Sequence, residues 1–237
     1  MFTSQRSFDD IVLLHEFDSH LASLMLEVLT VIEINLRTYI AHDMAMSSSQ
    51  SATPHLDLNN YKTALAGSNM LGMIARAIIE SKDREVFIQH HITNYNEVVP
   101  IWAIVEVLTL GQLSKLFSNL SPRTRNMISL KRYGQSNFEY VESWLYVAAN
   151  YRNVCAHRSR LYNRMFTASK PKLPSSDNVP NSSSSTLYAG LLALKHLSCN
   201  NHFCFDWFIK LGDLIRSYSS VVDVARMGFP VDWKNYL

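Results

Sequence analysis

The amino-acid sequence predicts an all-α protein. Only seven Gly and seven Pro occur among 237 residues, and long stretches lack both, which favours helices over a turn-rich sheet protein. Apolar residues also recur at spacings of three and four along several segments, as on one face of a helix. With 47% apolar and 18% charged residues, the chain has the composition of a globular protein. No shift in composition divides it, so we expect one domain over residues 1–237.

Two helices are predicted in the first hundred residues. The apolar spacing from Phe8 to Met46 predicts one long helix, or two with a break near Asp18-Ser19. The Ser, Pro and Asn residues that follow predict a flexible loop near residues 47–60. A second helix is expected from about Tyr61 to Ile92, with a weak point at Gly67-Ser68.

Four further helices are predicted in the rest of the chain. Pro100 begins the apolar run IWAIVEVLTLGQLSKLFSNL, which we expect to be a central core helix. A long helix is predicted from Phe138 to about Arg164. A run rich in Ser, Pro and Asn predicts a flexible surface loop near residues 168–186. The last two helices are expected near Leu187 to Leu197 and Phe203 to Val224.

Composition restricts the cellular setting. Three cysteines without paired spacing do not form a disulfide framework, and the sequence MFTSQRSFDD lacks the apolar stretch of a secretory signal. No run approaches the roughly 18 apolar residues that a membrane span needs. We therefore expect a cytoplasmic protein that does not enter a membrane. The net charge of +2 is too small to indicate a nucleic-acid binder, so any basic footprint must be local.

The chemically distinctive residues lie at the end of the helix predicted from Phe138. At 100° per residue, Asn153, His157, Arg160 and Arg164 form one polar stripe, and Arg152 lies on its flank. The residues predicted to form the opposite, buried face are Trp144, Val147, Ala148, Tyr151 and Cys155.

This combination suits RNA cleavage without a metal, in which the ribose 2′-hydroxyl attacks the adjacent phosphate. The imidazole of His157 can accept or donate a proton near neutral pH. The guanidinium of Arg152 can neutralise the charge that develops on the phosphoryl oxygens, in a bidentate way that Lys does not reproduce. Asn153 can orient the imidazole or the phosphate. DNA lacks the 2′-hydroxyl, so the reaction is confined to RNA.

The spacing Arg-x4-His does not identify the site by itself. Arg37 and His42 share it, and Arg84 and His90 form a looser pair. The alternative interpretation of His157 is a histidine on a helix surface among solvated arginines.

A family resemblance favours the catalytic interpretation. The string SWLYVAANYRNVCAHRSRLYNR resembles the signature of the Abi-like family, the abortive-infection proteins of the AbiD and AbiF kind, which has the form R-N-x-x-A-H-x-x-R-L-x-N-R. The segments LEVLTVIEINLRTYIAHDMA, PIWAIVEVLTLGQLSKLFSNL and MGFPVDWKNYL also resemble that family, in the expected order. Family members usually have a further helical segment before the position that matches Phe8, which this sequence lacks.

The Abi-like family is similar to HEPN domains, which are helical ribonucleases. The resemblance therefore implies a HEPN-like helical bundle with additional helices. It also implies metal-independent ribonuclease activity at Arg152 and His157. HEPN sites are usually composite, so the resemblance implies a homodimer in which two copies of the motif face each other. The residues expected to support catalysis or bind RNA are Asn153, Arg160, Asn163, Arg164 and Arg37.

Two charged residues have mainly structural interpretations. Glu33 and Arg37 are four residues apart, so an intrahelical ion pair is favoured, with a place for Arg37 at the RNA site as the alternative. Glu106 lies within an apolar run, where an unpaired carboxylate would be costly, so it is expected to pair with Arg37, Arg152 or a backbone group.

Two clusters have weaker functional interpretations. Zinc is disfavoured at a group of possible ligands that lacks a Cys-x2-Cys pair, namely His196, Cys199, His202 and Cys204. A basic group either holds RNA phosphates or forms a solvated loop, and its members are Arg123, Arg125, Lys131 and Arg132.

The resemblance, together with the residues of the motif, thus implies an endoribonuclease of phage defence that needs no cofactor or metal. RNA is its expected substrate, and an RNA or protein antitoxin is a possible partner. The alternatives are a non-catalytic RNA-binding module and a partner-binding helical protein.

Overall fold

The computed structural model describes residues 7–48, 51–177, 179, 183–198 and 202–233, without the side chains of residues 202–205. The described residues form α-helices and no strand, which confirms the all-α prediction. The helices are α1 (Phe8–Ser47), α2 (Ala64–Ser81), α3 (Val86–Asn94), α4 (Ile101–Val107), α5 (Leu110–Asn119), α6 (Pro122–Tyr133), α7 (Phe138–Ala156), α8 (Leu187–Ser198) and α9 (His202–Ser217).

The chain divides into two compact units. The first unit consists of Met1–Ile32 and Val147–Leu237, and the second of Glu33–Tyr146. The boundaries fall within α1 and α7, so each of these helices contributes residues to both units.

The core of the first unit is built around α8, whose residues Leu187–Leu194 are all buried. Gly190 of this helix lies so close to the ring of Tyr151 that a Cβ atom there would overlap the phenol. From α9, the indole Nε1 of Trp207 donates a hydrogen bond of 2.6 Å to the carbonyl oxygen of Leu24 in α1. Because Trp207 is also fully buried, its polar group requires such a partner.

The second unit contains α2 to α6 with the adjoining parts of α1 and α7. The predicted loop near residues 47–60 begins at the last residue of α1, Ser47, and its described part includes two short 3-10 helices, Pro54–Leu56 and Leu58–Asn60. An isolated antiparallel bridge follows between Tyr61 and Leu120. It ties the start of α2 to the end of α5.

Two predicted helices are interrupted. The helix expected from Tyr61 to Ile92 starts at Ala64 and stops at Ser81, where the polar run SKDRE forms a turn before α3. Gly67 does not break it. A Cβ at Gly67 would meet a side-chain carbon of Leu58 at 2.7 Å, so the glycine permits close packing inside the helix.

The predicted central core helix after Pro100 is two helices, α4 and α5. The hydroxyl of Thr109 accepts from the backbone N–H of Gln112, and the Gln112 side chain accepts from the backbone N–H of Thr109. This capping box starts a new helix at Leu110. Both helices also carry exposed residues, whereas the most completely buried helix is α8.

The predicted C-terminal helix from Phe203 to Val224 is also shorter than expected. Helix α9 ends at Ser217, and a 3-10 helix, Val224–Met227, follows after a turn. The predicted loop near residues 168–186 lies partly outside the described residues, and its described part contains a 3-10 helix, Ser175–Asp177.

Helix α1 is the one described helix long and apolar enough to cross a membrane by length and composition. In its most apolar window, 44% of the residues are buried inside the protein. The core helix of a soluble protein passes the same test, so this feature is weak support for a membrane span.

Candidate functional site

Helix α7 ends inside the segment that carries the predicted chemistry. Ala156 is its last residue, and the backbone N–H of His157 donates to the carbonyl oxygen of Asn153 at 3.0 Å. Arg158 then adopts a left-handed conformation, with φ of 49°. The N–H of Arg158 donates to the Cys155 carbonyl at 3.1 Å, and that of Ser159 donates to the Val154 carbonyl at 3.0 Å. These two bonds define a Schellman motif, in which His157 is the C-cap residue.

The predicted helix to Arg164, and with it the four-residue polar stripe, is therefore wrong. Asn153 and His157 remain one helical turn apart, since the last i to i+4 hydrogen bond joins them. Arg160 and Arg164 lie beyond the helix end, in an irregular segment.

A carboxylate of α1 accounts for the path of this segment. Asp18 Oδ1 accepts hydrogen bonds from the backbone N–H groups of Leu161, at 3.2 Å, and Tyr162, at 2.7 Å. The guanidinium of Arg158 donates to the Ser19 carbonyl at 2.9 Å and to the Ser23 hydroxyl at 3.0 Å. The two bonds to Asp18 supply the backbone N–H groups of Leu161 and Tyr162 with partners that a continued helix would otherwise provide.

Burial raises the pKa of the Asp18 carboxyl above its usual value. The hydrogen bonds from Tyr162 and Leu161 and the nearby charges of Arg160 and His15 act in the opposite direction, but they do not outweigh burial.

The three residues predicted to carry catalysis are accessible to solvent. Arg152 is half-buried, and Asn153 and His157 are exposed. Within the described part of the chain, the side chains of Arg152 and His157 form no hydrogen bond or ion pair. They are therefore available to an external ligand.

The buried face behind these residues is confirmed. Trp144, Val147, Ala148, Tyr151 and Cys155 are all fully buried. Burial raises the pKa of the Cys155 thiol to about 12, so this thiol stays protonated and is a poor nucleophile.

The segment after the helix lines a cleft of about 570 Å³ in the first unit. Leu161 and Tyr162 are buried and anchor the segment, whereas Arg160 and Asn163 are exposed. Asn163 is left-handed, with φ of 53°, a conformation that Asn tolerates better than most residues. The residues that line this cleft include Arg158, Arg160, Asn163, His15, Asp18 and Arg226.

Arg164 has a different environment from Arg160. It is half-buried, and its guanidinium lies over the ring of Phe166, 5.4 Å from the centroid. Its Nη1 also donates to the Arg160 carbonyl oxygen at 3.3 Å.

Arg37 belongs to the second unit. Its Nη2 lies 2.6 Å from Glu33 Oε1, which confirms the predicted intrahelical ion pair. Its Nη1 is also 3.5 Å from Glu106 Oε2. The Glu106 side chain is 54% exposed, so it is not buried as its place in an apolar run suggested, and of the partners that the sequence left open, Arg37 is the one observed. The role of Arg37 in RNA binding stays a prediction.

Three of the four basic residues predicted as a phosphate-binding group or a solvated loop form ion pairs on α6. Arg125 is buried and lies 2.7 Å from Glu142. Lys131 and Arg132 both hold the buried carboxylate of Asp43, at 2.9 Å and 2.7 Å. Burial alone would raise the pKa of Asp43, but hydrogen bonds from Arg132, Lys131 and the neighbouring His42 lower it to about 2. These three basic residues therefore stabilise the fold.

The possible zinc cluster lies largely outside the described residues. Cys199 is not described, and neither are the side chains of His202 and Cys204. His196 Nε2 lies 2.8 Å from Asp177 Oδ2. Among the described residues, no group of three or more His, Cys, Asp or Glu side chains is arranged to hold a metal ion.

Four residues of the site were missed from the sequence, namely Asp18, Arg158, His15 and Arg226. Asp18 had one indirect signal, since the sequence placed a possible helix break at Asp18-Ser19, although α1 runs through these residues unbroken. Arg158 had none, because the left-handed end of a helix is normally marked by Gly. His15 and Arg226 are surface residues whose proximity depends on tertiary structure.

Fold and site together define an all-α protein with a solvent-accessible Arg-Asn-x-x-x-His segment at the end of a helix. The model of a protein family described as Abi-like protein matches residues 1–163, more than half of the chain, and includes this segment. The chain belongs to the Abi-like family. No curated protein and no solved structure gives a significant match.

Proposed function

We propose that this protein is a metal-independent endoribonuclease that acts in bacterial abortive infection. Membership of the Abi-like family suggests a role in abortive infection, a form of defence against phage. The similarity of that family to HEPN ribonucleases supports RNA cleavage as the activity.

One contrast between two Arg-x4-His pairs carries the proposal. Arg37 and His42 are both engaged, Arg37 with Glu33 and His42 with Asp43 at 3.0 Å. Arg152 and His157 have no such partners among the described residues, and His157 is exposed. Charged and titratable groups left without partners at one helix end are candidates for binding and proton transfer.

The proposed reaction assigns one role to each residue. The His157 imidazole takes the proton of the ribose 2′-hydroxyl, whose oxygen forms a bond to the adjacent phosphorus as the bond to the 5′-oxygen breaks. The leaving 5′-oxygen receives a proton from a second acid, which we assign to the His157 of a second copy of the chain. Arg152 neutralises charge on the phosphoryl oxygens, and Asn153 orients the imidazole or the phosphate. The products are a 2′,3′-cyclic phosphate and a 5′-hydroxyl.

A composite site requires self-association. In a dimer with a two-fold axis, the same surface of each copy faces the other, so two helix ends that carry Arg152 and the exposed His157 can meet. Sedimentation equilibrium tests this step, with a dimer as the expected species. A monomer that cleaves RNA would contradict the composite site but would still support the ribonuclease activity.

The central experiment incubates the purified protein with end-labelled single-stranded RNA in EDTA. We expect fragments with 2′,3′-cyclic phosphate ends from the wild type. His157→Ala and Arg152→Lys should each lower the cleavage rate by about 100-fold or more, since general acid–base catalysis and charge stabilisation contribute on that order. The matched control is His90→Ala, which removes another exposed histidine on a helix and should leave the rate unchanged.

Two results would overturn the proposal of ribonuclease activity. Absence of cleavage by the wild type in both EDTA and Mg²⁺, with RNA binding intact, would favour the non-catalytic RNA-binding module. Cleavage that survives His157→Ala would point to a contaminating nuclease or another site.

A further inference from the structure

The cleft beside the helix end has a composition suited to an anion. Three guanidinium groups line it, from Arg158, Arg160 and Arg226, and the imidazole of His15 faces it as well. Asp18 is the one acidic residue in the lining. Three positive charges against one negative charge leave the lining with +2 even when Asp18 is ionised, which equals the net charge of the entire chain. The cleft is therefore a local basic surface on a chain of small net charge.

The three arginines differ in how many interactions their guanidinium groups make within the protein. Arg158 is held by Ser19 and Ser23. Arg160 is exposed, and within the described residues its side chain makes no hydrogen bond or ion pair, although its charge acts on the Asp18 carboxyl. Among the described residues Arg226 pairs with Asp223 alone, at 3.5 Å, and both side chains are more than half exposed. Exposed pairs of this kind contribute little to stability, so Arg226 can turn to an incoming anion at small cost.

The cleft is distinct from the catalytic cluster. Its lining does not include Arg152, Asn153 or His157. It is nevertheless close to them, since Arg160 follows His157 by three residues and their Cα atoms are at most about 11 Å apart. A strand whose scissile phosphate lies at His157 can therefore place another phosphate in the cleft.

We propose that this cleft is a second phosphate-binding subsite, in which Arg160 and Arg226 hold a phosphate of the RNA strand other than the one that is attacked. This proposal rests on the proposed function, because it takes RNA as the ligand. Arg226 lies in the 3-10 helix Val224–Met227, outside the residues matched by the family model. The C-terminal part of the chain thereby contributes to substrate binding, and contacts to phosphate imply binding without sequence preference.

The test measures binding separately from cleavage. The probe is a fluorescein-labelled single-stranded RNA of about 12 nucleotides whose 2′-hydroxyls are all methylated, so that it lacks the nucleophile. Fluorescence anisotropy gives the dissociation constant of the wild type and of Arg226→Ala at several salt concentrations. The matched control is Arg216→Ala. Arg216 is also exposed and pairs with an Asp three residues earlier, Asp213, but it does not line the cleft.

We expect Arg226→Ala to weaken binding several-fold at low salt. It should also reduce the slope of log K against log salt concentration by about 0.7, the value for one phosphate contact to a single strand. Arg160→Ala should behave in the same way, whereas Arg216→Ala should match the wild type. Equal dissociation constants and equal salt slopes for Arg226→Ala and Arg216→Ala would overturn the proposal. Failure of the wild type to bind the probe would also overturn it.

Failure of the subsite and failure of the ribonuclease are distinguishable. If Arg226→Ala weakens binding but unmethylated RNA is never cut, the phosphate-binding subsite is supported and the ribonuclease activity is contradicted. If unmethylated RNA is cut in a reaction that requires His157, and the Arg226→Ala and Arg216→Ala variants bind the methylated RNA equally well, the ribonuclease activity is supported and the subsite is contradicted.

Discussion

Asp18 allows a direct test of how the segment after α7 is held. One carboxylate oxygen accepts the backbone N–H groups of both Leu161 and Tyr162. Asp18→Ala removes this acceptor, whereas Asp18→Asn keeps a carbonyl oxygen in the same position. The two substitutions therefore separate the hydrogen bonds from the charge.

The expected magnitudes follow from burial. Leu161 is fully buried and Tyr162 is 8% exposed, so both N–H groups lose their partner in a mostly dry environment. An unsatisfied buried donor costs about 1–3 kcal/mol. Asp18 also lines the cleft, where water can replace part of the loss. We expect Asp18→Ala to lower the free energy of unfolding by about 2–3 kcal/mol, out of roughly 5–15 kcal/mol for a typical domain.

Asp18→Asn should cost less than about 1 kcal/mol, because burial raises the pKa of Asp18 and its charge is not what the fold requires. A raised pKa makes the contribution of Asp18 to stability fully present below its unfolded value of 3.8. That contribution is lost as the pH rises through the folded value. The Asn variant cannot ionise, so relative to the wild type it should gain stability between pH 4 and pH 7.

Urea unfolding followed by circular dichroism measures both variants at pH 4 and pH 7, with unchanged m values as a check that the same surface unfolds. Equal destabilisation by Ala and Asn would refute the hydrogen-bond explanation. An Asn variant that loses stability relative to wild type as the pH rises would refute the assigned direction of the pKa.

Three further predictions concern stability. Asp43→Asn should cost about 2 kcal/mol at pH 7, and the wild type should lose this contribution as the pH falls from 3.8 through about 2. An acid-unfolding curve shared by both proteins would contradict this. Arg158→Gly should be more stable than Arg158→Ala by about 1 kcal/mol in thermal unfolding, because both lose the guanidinium bonds but only Ala keeps the left-handed strain. Equal melting temperatures would count against that strain. Gly190→Ala should cost about 3 kcal/mol through overlap with Tyr151, whereas Gly72→Ala, in open space on α2, should gain about 0.5–1 kcal/mol. Similar effects at the two glycines would contradict the packing at Gly190.

The sequence was sufficient to predict features that depend on local pattern. Apolar spacing located α1 and α8, and the 100° wheel identified the buried face of α7 from Trp144 to Cys155. The Glu33–Arg37 pair also depends only on a spacing of four along a helix. The break after Leu108 had a local signal as well, the Thr-x-x-Gln capping box that begins at Thr109.

The end of α7 could not be predicted in this way. Helix α6 ends at Tyr133 and is followed by a left-handed glycine, Gly134, with φ of 66°, which is a common signal for the end of a helix. Helix α7 ends at Ala156, and the left-handed residue that follows its C-cap is Arg158, a residue with high helix propensity, so no Gly or Pro marks the position. The competing hydrogen bonds come from Asp18, more than 140 residues away in sequence. Tertiary contacts therefore overrode a local pattern that favoured a longer helix.

The position of this helix end changes the meaning of the string that carries the family resemblance. Its second half does not continue a helical face. It forms the cap of the helix, with His157 at the C-cap, and then an irregular segment. In that segment Leu161 is buried and Asn163 has a left-handed conformation. Arg160 lies between the cap and the anchor, so it faces the cleft and not the space one turn beyond His157. On a continuous helix, Arg160 and His157 would compete for one phosphate. At a helix end they can hold two phosphates of the same strand, and under the proposed function this arrangement positions the RNA backbone before cleavage.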